Sequence, residues 1–281
     1  MGARAERAAR NAARNAGDVA PWIVNLARVG YGAKAVLYAT IGVLALRAAL
    51  GSGGQTTDTR GAMAAVVDAP FGRVLLVVIA VGLAGYAAWR FVAAIADPEQ
   101  RGHDAKGLAI RTGYVARAII HVGLAVSALR LAQGHSADSG SGGGGADDMA
   151  AHAFRIGGGS WLVWLAAIGI GAYGIYQLYR AYAAKLSEQL DVGRMSAEAG
   201  HWVIGVSRFG IAARGVVGAT IAVLLARAAS RHAPGEAGGI AEALDEIARH
   251  GQWPLVAVAI GLVAYGVYEL LNARYRDVRV G

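Results

Sequence analysis

The sequence predicts an all-α membrane protein, with six transmembrane helices arranged as three tandem parallel two-helix repeats in a pseudo-threefold bundle. Three observations lead there. The composition is apolar, with 56% hydrophobic and 16% charged residues and a mean hydropathy of +0.41, outside the balance of a soluble domain. Six apolar segments, at 26–49, 72–96, 109–132, 160–183, 203–229 and 253–273, are each long enough to cross a bilayer. One pattern of charge and glycine then recurs three times at the same offsets.

The recurring starts are Arg28-Val-Gly30-Tyr-Gly-Ala-Lys34, Arg111-Thr-Gly113-Tyr-Val-Ala-Arg117 and Arg208-Phe-Gly210-Ile-Ala-Ala-Arg214. In each copy a second arginine (Arg47, Arg130, Arg227) follows the first by 19 positions. That is roughly 28 Å of helix, close to the hydrocarbon thickness. The even-numbered helices repeat as well, as Gly82-Leu-Ala-Gly-Tyr86, Gly169-Ile-Gly-Ala-Tyr173 and Gly261-Leu-Val-Ala-Tyr265. The unit is therefore a two-helix hairpin, and an even helix count keeps successive units parallel. This gives a basic tail over 1–25 and repeats over 26–98, 108–185 and 203–275. The 41 glycines suit membrane helices, where small residues let backbones approach closely.

The first apolar segment is a full copy of those at 109 and 203, so we expect it to be retained rather than cleaved as a signal peptide. Basic residues set the orientation. With the N-terminus cytoplasmic, 15 of them fall on that side, in the tail, the loops 97–111 and 180–208 and the C-terminal tail, against 8 opposite. The positive-inside rule then puts both termini in the cytoplasm. The +8 net charge reflects this topology, and no nucleic-acid partner is expected. The arginines Arg4, Arg7, Arg10 and Arg14 of the tail read as a topogenic cluster or as a contact with anionic lipid headgroups. Of the outer connections, residues 134–148 are a flexible Gly/Ser linker. Residues 238–250 place Ile240, Leu244 and Ile247 on one face, as in a short interfacial helix, and residues 61–68 form a weaker counterpart.

The repeated starts, the Gly-Tyr-x-x-Trp/Tyr partners and the ending Ala273-Arg274-Tyr275-Arg276 resemble the bacterial domain-of-unknown-function family 1206, over essentially the whole chain. The resemblance implies a polytopic membrane protein of the bacterial cytoplasmic (inner) membrane. It carries no activity or catalytic residues across. Ile211 departs from the pattern, standing where the other repeats have Tyr31 and Tyr114.

Residues four apart share a helix face. The ladders Gly30–Lys34–Tyr38, Gly113–Arg117–His121, Gly210–Arg214–Gly218, Gly82–Tyr86–Arg90, Gly169–Tyr173–Gln177 and Gly261–Tyr265–Glu269 each give a small and polar face. Counting from the flanking arginines places Lys34, Arg90, Arg117, Gln177, Arg214 and Glu269 in one intramembrane layer, with Tyr38, Tyr86, His121, Tyr173 and Tyr265 as candidate lining. Two readings stay open. The cations anchor each hairpin by snorkelling, or they form an anion-binding or transport site. Glu269 is a structural ion pair with Lys34, Arg117 or Arg214, or a titrating carboxylate. The tyrosines either pack helices or touch a ligand.

No catalytic, cofactor or metal residue is expected. Cysteine is absent, no phosphate loop, zinc or hydrolase motif is present, and His121 has no second histidine at its depth for haem. The function expected is a non-enzymatic structural, partner-binding or lipid-binding membrane protein. The alternative is a carrier or channel for a small anionic solute, proton-linked through Glu269. A cavity open from one side and lined by Lys34, Arg117 and Arg214 favours transport; a solid core favours the structural role.

Overall fold

The computed structural model describes residues 21–97, 102, 104–135, 146–156, 158–183 and 197–275. Most of the basic tail, the core of the Gly/Ser linker, most of the loop after residue 183 and the C-terminal arginines beyond residue 275 lie outside the described residues. Within them the chain is helical, with no strand. The helices are α1 (Pro21–Ala49), α2 (Thr59–Val67), α3 (Gly72–Ala96), α4 (Ala105–Ala132), α5 (Ala146–Phe154), α6 (Gly159–Ala183), α7 (Ala197–Arg231), α8 (Ile240–Arg249) and α9 (Gln252–Tyr275). Six of them are long and apolar enough to cross a membrane.

Local chemistry sets the ends. Pro21 opens α1, where its missing N–H costs nothing. Asp58 and Asp104 cap α2 and α4 by accepting from the Gly61 and Gly107 amides. Arg111 donates to the carbonyls of Ala94 and Ile95 at 2.7 and 3.1 Å, satisfying the frayed end of α3. The third start sits inside a 35-residue helix that begins before the apolar segment does.

Each repeat holds a long helix, a short outer helix and a second long helix. The second long helix of each unit packs on the first of the next, as α3 on α4, α6 on α7 and α9 on α1. That is the pseudo-threefold arrangement. Glycines set the closeness: a Cβ on Gly42 would stand 2.7 Å from the Ala259 carbonyl oxygen, and one on Gly266 2.8 Å from that of Ala35.

Within units the symmetry breaks. In repeats 1 and 3 the two long helices also pack on each other, α1 on α3 and α7 on α9. Their glycines make the contact, since a Cβ on Gly30 would lie 2.6 Å from the Gly82 carbonyl oxygen and one on Gly210 2.4 Å from the Tyr265 nitrogen. In repeat 2 the long helices α4 and α6 do not pack along their length. A Cβ on the matching Gly113 or Gly169 would meet nothing within 4 Å among the described residues. These two are also the least buried of the six spans.

The short helices follow the same division. In α2, Ala62, Met63 and Val66 are buried, and in α8, Ala243, Leu244 and Ile247; all six join the main core with Leu37, Ile41, Leu76, Leu83 and Leu262. The helix expected at 238–250 therefore exists, but its apolar face turns into the bundle rather than toward lipid. Burial against a neighbour satisfies that face as fully as the interface would. Thr56 donates to Asp245 at 2.5 Å, tying α8 to the first repeat. The short helix of repeat 2, α5, instead joins a separate cluster with Val163, Ala167, Leu225 and Ala228 on α6 and α7.

Candidate functional site

One cavity of about 250 Å³ lies among all six long helices. It is lined by Lys34, Arg90, Arg117, Arg214 and Glu269, and by Tyr38, Tyr86, His121, Tyr173 and Tyr265. Ten of the eleven candidate residues thus converge. Gln177 is 1% exposed, its side-chain oxygen without a hydrogen-bond partner among the described residues, but it is not part of the lining. One helical turn displaces it toward the α6–α7 contact, where Gly174 meets Gly215.

Of the three partners expected for Glu269, the one it pairs with is Lys34, whose Nζ donates to Oε1 at 2.6 Å. The carboxylate is 2% exposed, and among the described residues its other oxygen has no partner within hydrogen-bond distance. Lys34 also sits 5.0 Å from the Tyr86 ring and 5.5 Å from that of Tyr31. In this pair a buried carboxylate cancels a buried cation, which the low dielectric demands.

Arg214 is held differently. Its Nε donates to the Tyr38 hydroxyl at 3.0 Å and its Nη1 to the Tyr173 hydroxyl at 2.9 Å. Three rings, of Tyr38, Tyr173 and Tyr265, surround the guanidinium at 5.1 to 5.7 Å. Arg117 lies 4.6 Å from the Tyr173 ring, so its long side chain crosses the space between α4 and α6 that the backbones leave open. Neither arginine is paired with a carboxylate among the described residues. Among the described residues the groups in direct contact with their guanidinium groups are hydroxyl oxygens and ring faces.

The threefold pattern reappears here in chemistry. Lys34, Arg117 and Arg214 each sit against the tyrosine of their own unit, Tyr86, Tyr173 and Tyr265 in turn. Their common sequence offset places all three at one depth. Divergence follows one turn later, where Arg90, Gln177 and Glu269 occupy equivalent places. Arg90 donates to the Tyr86 hydroxyl at 3.0 Å and lies 5.0 Å from the Tyr114 ring. His121 donates from Nδ1 to the Arg117 carbonyl at 2.7 Å and tilts against Tyr86, so it serves as a packed, hydrogen-bonded side chain.

Sequence reasoning missed Tyr31, Arg180, Tyr268 and Asn272, all of which line the cavity. By sequence Arg180 opens the loop 180–208, expected on the cytoplasmic side. It is half-buried, and its Nη2 donates to the Tyr268 hydroxyl at 2.6 Å. The signal for it was available: Gly169, Tyr173, Gln177 and Arg180 continue one helical face at spacings of four, four and three. A cation at the end of an apolar run reads as a flanking charge, which concealed it.

The lining reaches the wall of the bundle at Ile120, which is 59% exposed and lies at the middle of the span Gly107–Ala132. At the outer end Thr59 and Ile240 join the lining from α2 and α8, the two short helices seated in the main core. No group of three or more metal-ligating side chains occurs among the described residues.

Comparison with known proteins agrees with this architecture. The family described as Domain of Unknown Function (DUF1206) matches three times, at residues 29–97, 112–184 and 209–276. The chain is 30% identical over 263 residues to "Uncharacterized protein YxxB" of Bacillus subtilis (strain 168), covering 93% of this chain and 94% of that protein. No solved structure matches.

Proposed function

The chain belongs to the DUF1206 family, and from that premise we propose that it is a non-enzymatic membrane protein whose chamber binds and carries a small anionic group of the phosphate, sulfate or carboxylate type. The observation that supports this is the convergence of Arg117 and Arg214 on one cavity with tyrosines as their contacts and, among the described residues, no carboxylate ion-paired to either. Placing two such cations inside an apolar span is costly, and an oxoanion offsets that cost with charge-assisted hydrogen bonds. Snorkelling accounts for them less well, because both side chains turn inward to a cavity rather than to headgroups. The structural reading asks for a filled core at this depth, and the cavity stands against it.

The lining favours binding over catalysis: its one carboxylate is engaged by Lys34 and its histidine by a backbone carbonyl. The positive-inside argument puts the charged layer on the cytoplasmic side of the inner membrane. A topology reporter at residue 140 that reads the cytoplasm overturns that orientation.

Thermal unfolding of the purified protein in detergent, with phosphate, sulfate or acetate added, tests the site. At least one anion should raise the midpoint. Arg214→Gln should weaken that anion about tenfold, the loss expected for one charge-assisted contact, while Arg73→Gln at an exposed position should not. No response to any anion, or equal loss in both variants, refutes the proposal.

A further inference from the structure

We infer that the anionic group is carried on a membrane lipid, a phosphate headgroup that enters the chamber sideways through the opening between α4 and α6. This rests on the anion-binding reading and names the ligand class of that site.

The opening belongs to one repeat. In repeats 1 and 3 the glycine faces are closed by backbone, whereas among the described residues nothing approaches the same glycines of repeat 2. Ile120 then connects cavity and exterior at mid-span, a depth where the neighbour of a bilayer protein is hydrocarbon. The gap starts nearer the flanking charges, at Gly113, two residues past Arg111, so a lipid beside it keeps its phosphate near the interface while its chains fill the apolar gap. A water-soluble anion brings nothing to fill it.

Size and charge agree. A cavity of about 250 Å³ lies just under the range of drug-sized pockets, enough for a headgroup but not for its chains. The chains would remain in the opening, against the exposed Ile119 and Ile120 of α4 and Ile168 of α6. Arg117 spans the opening onto Tyr173, and Arg214 binds the same tyrosine from within. A headgroup passing between α4 and α6 therefore meets Arg117 first and Arg214 next.

The chain has no cysteine, so Ile120→Cys accepts a single bimane label. The labelled protein is placed in phosphatidylcholine nanodiscs containing brominated phosphatidic acid or brominated phosphatidylcholine at equal mole fraction. Brominated phosphatidic acid should quench at about a tenfold lower mole fraction, and the Arg117→Gln and Arg214→Gln variants should lose that preference while Arg73→Gln keeps it. Native mass spectrometry of the unlabelled protein checks the same selectivity without the label. Equal quenching by both lipids with no selective retention, while inorganic phosphate still raises the unfolding midpoint, overturns the lipid assignment and leaves the site standing. Failure of the lipid and of every soluble anion removes both.

Discussion

The Lys34–Glu269 pair offers the sharpest test of how the bundle tolerates its buried charge. The pair is short, at 2.6 Å, with side chains 12% and 2% exposed, so neither partner has water to fall back on. Removing one member of such a pair costs about 3–5 kcal/mol, because the other is left as an uncompensated charge. For Glu269→Gln the lower end applies, about 3 kcal/mol, since Lys34 keeps the Tyr31 and Tyr86 rings. Lys34→Met strands a carboxylate that already has one oxygen unpartnered among the described residues and should cost as much or more. The double variant removes both charges, so its destabilisation should fall short of the sum by about 2–3 kcal/mol. Arg73 serves as the control. It is exposed near the start of α3, and Arg73→Gln should combine with Glu269→Gln to within about 0.5 kcal/mol of additivity. Equilibrium unfolding in mixed micelles measures all of these. Additive behaviour for Lys34 and Glu269, or strong coupling to Arg73 instead, would refute the assignment of the pair.

The open second repeat makes a prediction from equivalent glycines. Gly210→Ala would put a Cβ 2.4 Å from backbone of α9 and should destabilise by about 1–3 kcal/mol, whereas Gly113→Ala meets nothing within 4 Å among the described residues and should be neutral or gain up to about 1 kcal/mol of helix propensity; equal losses at both would mean repeat 2 is closed. On the outer surface, a hydrogen bond from Arg227, with the charges of Arg227 and Arg249 adding to it, holds the Glu246 carboxyl below its usual range. A depressed folded-state value contributes stability above the unfolded value and loses it as pH falls through the folded one. Acid titration of unfolding should therefore show less loss below the ordinary carboxylate range in Glu246→Gln than in wild type, and superimposable titrations would contradict the pairing.

Much of this protein is legible in its sequence because a bilayer allows few solutions. A span must satisfy its own backbone, so apolar length gave six helices. Triplicated spacing then fixed the depth of Lys34, Arg117 and Arg214, since 1.5 Å per residue converts sequence offset directly to height. The inward face followed from residues four apart, and ten of the eleven candidates do meet at one cavity. Glu269 stood out as the acid among cations, and one of its three candidate partners is the observed one. What the sequence left open is what depends on rotation and distance between helices. It could not choose Lys34 over Arg214, because equal depth leaves the choice to which helices adjoin, and α9 packs directly on both α1 and α7. It could not bring Arg180 inside, because a terminal cation can turn either way until Tyr268 offers its hydroxyl. It could not show that repeat 2 is the open one. Gly113 and Gly169 carry the same packing signature as Gly30 and Gly82, so local chemistry is equal in every copy. Only the tertiary arrangement, in which α4 and α6 each spend their contacts on neighbouring repeats, decided which copy stays apart.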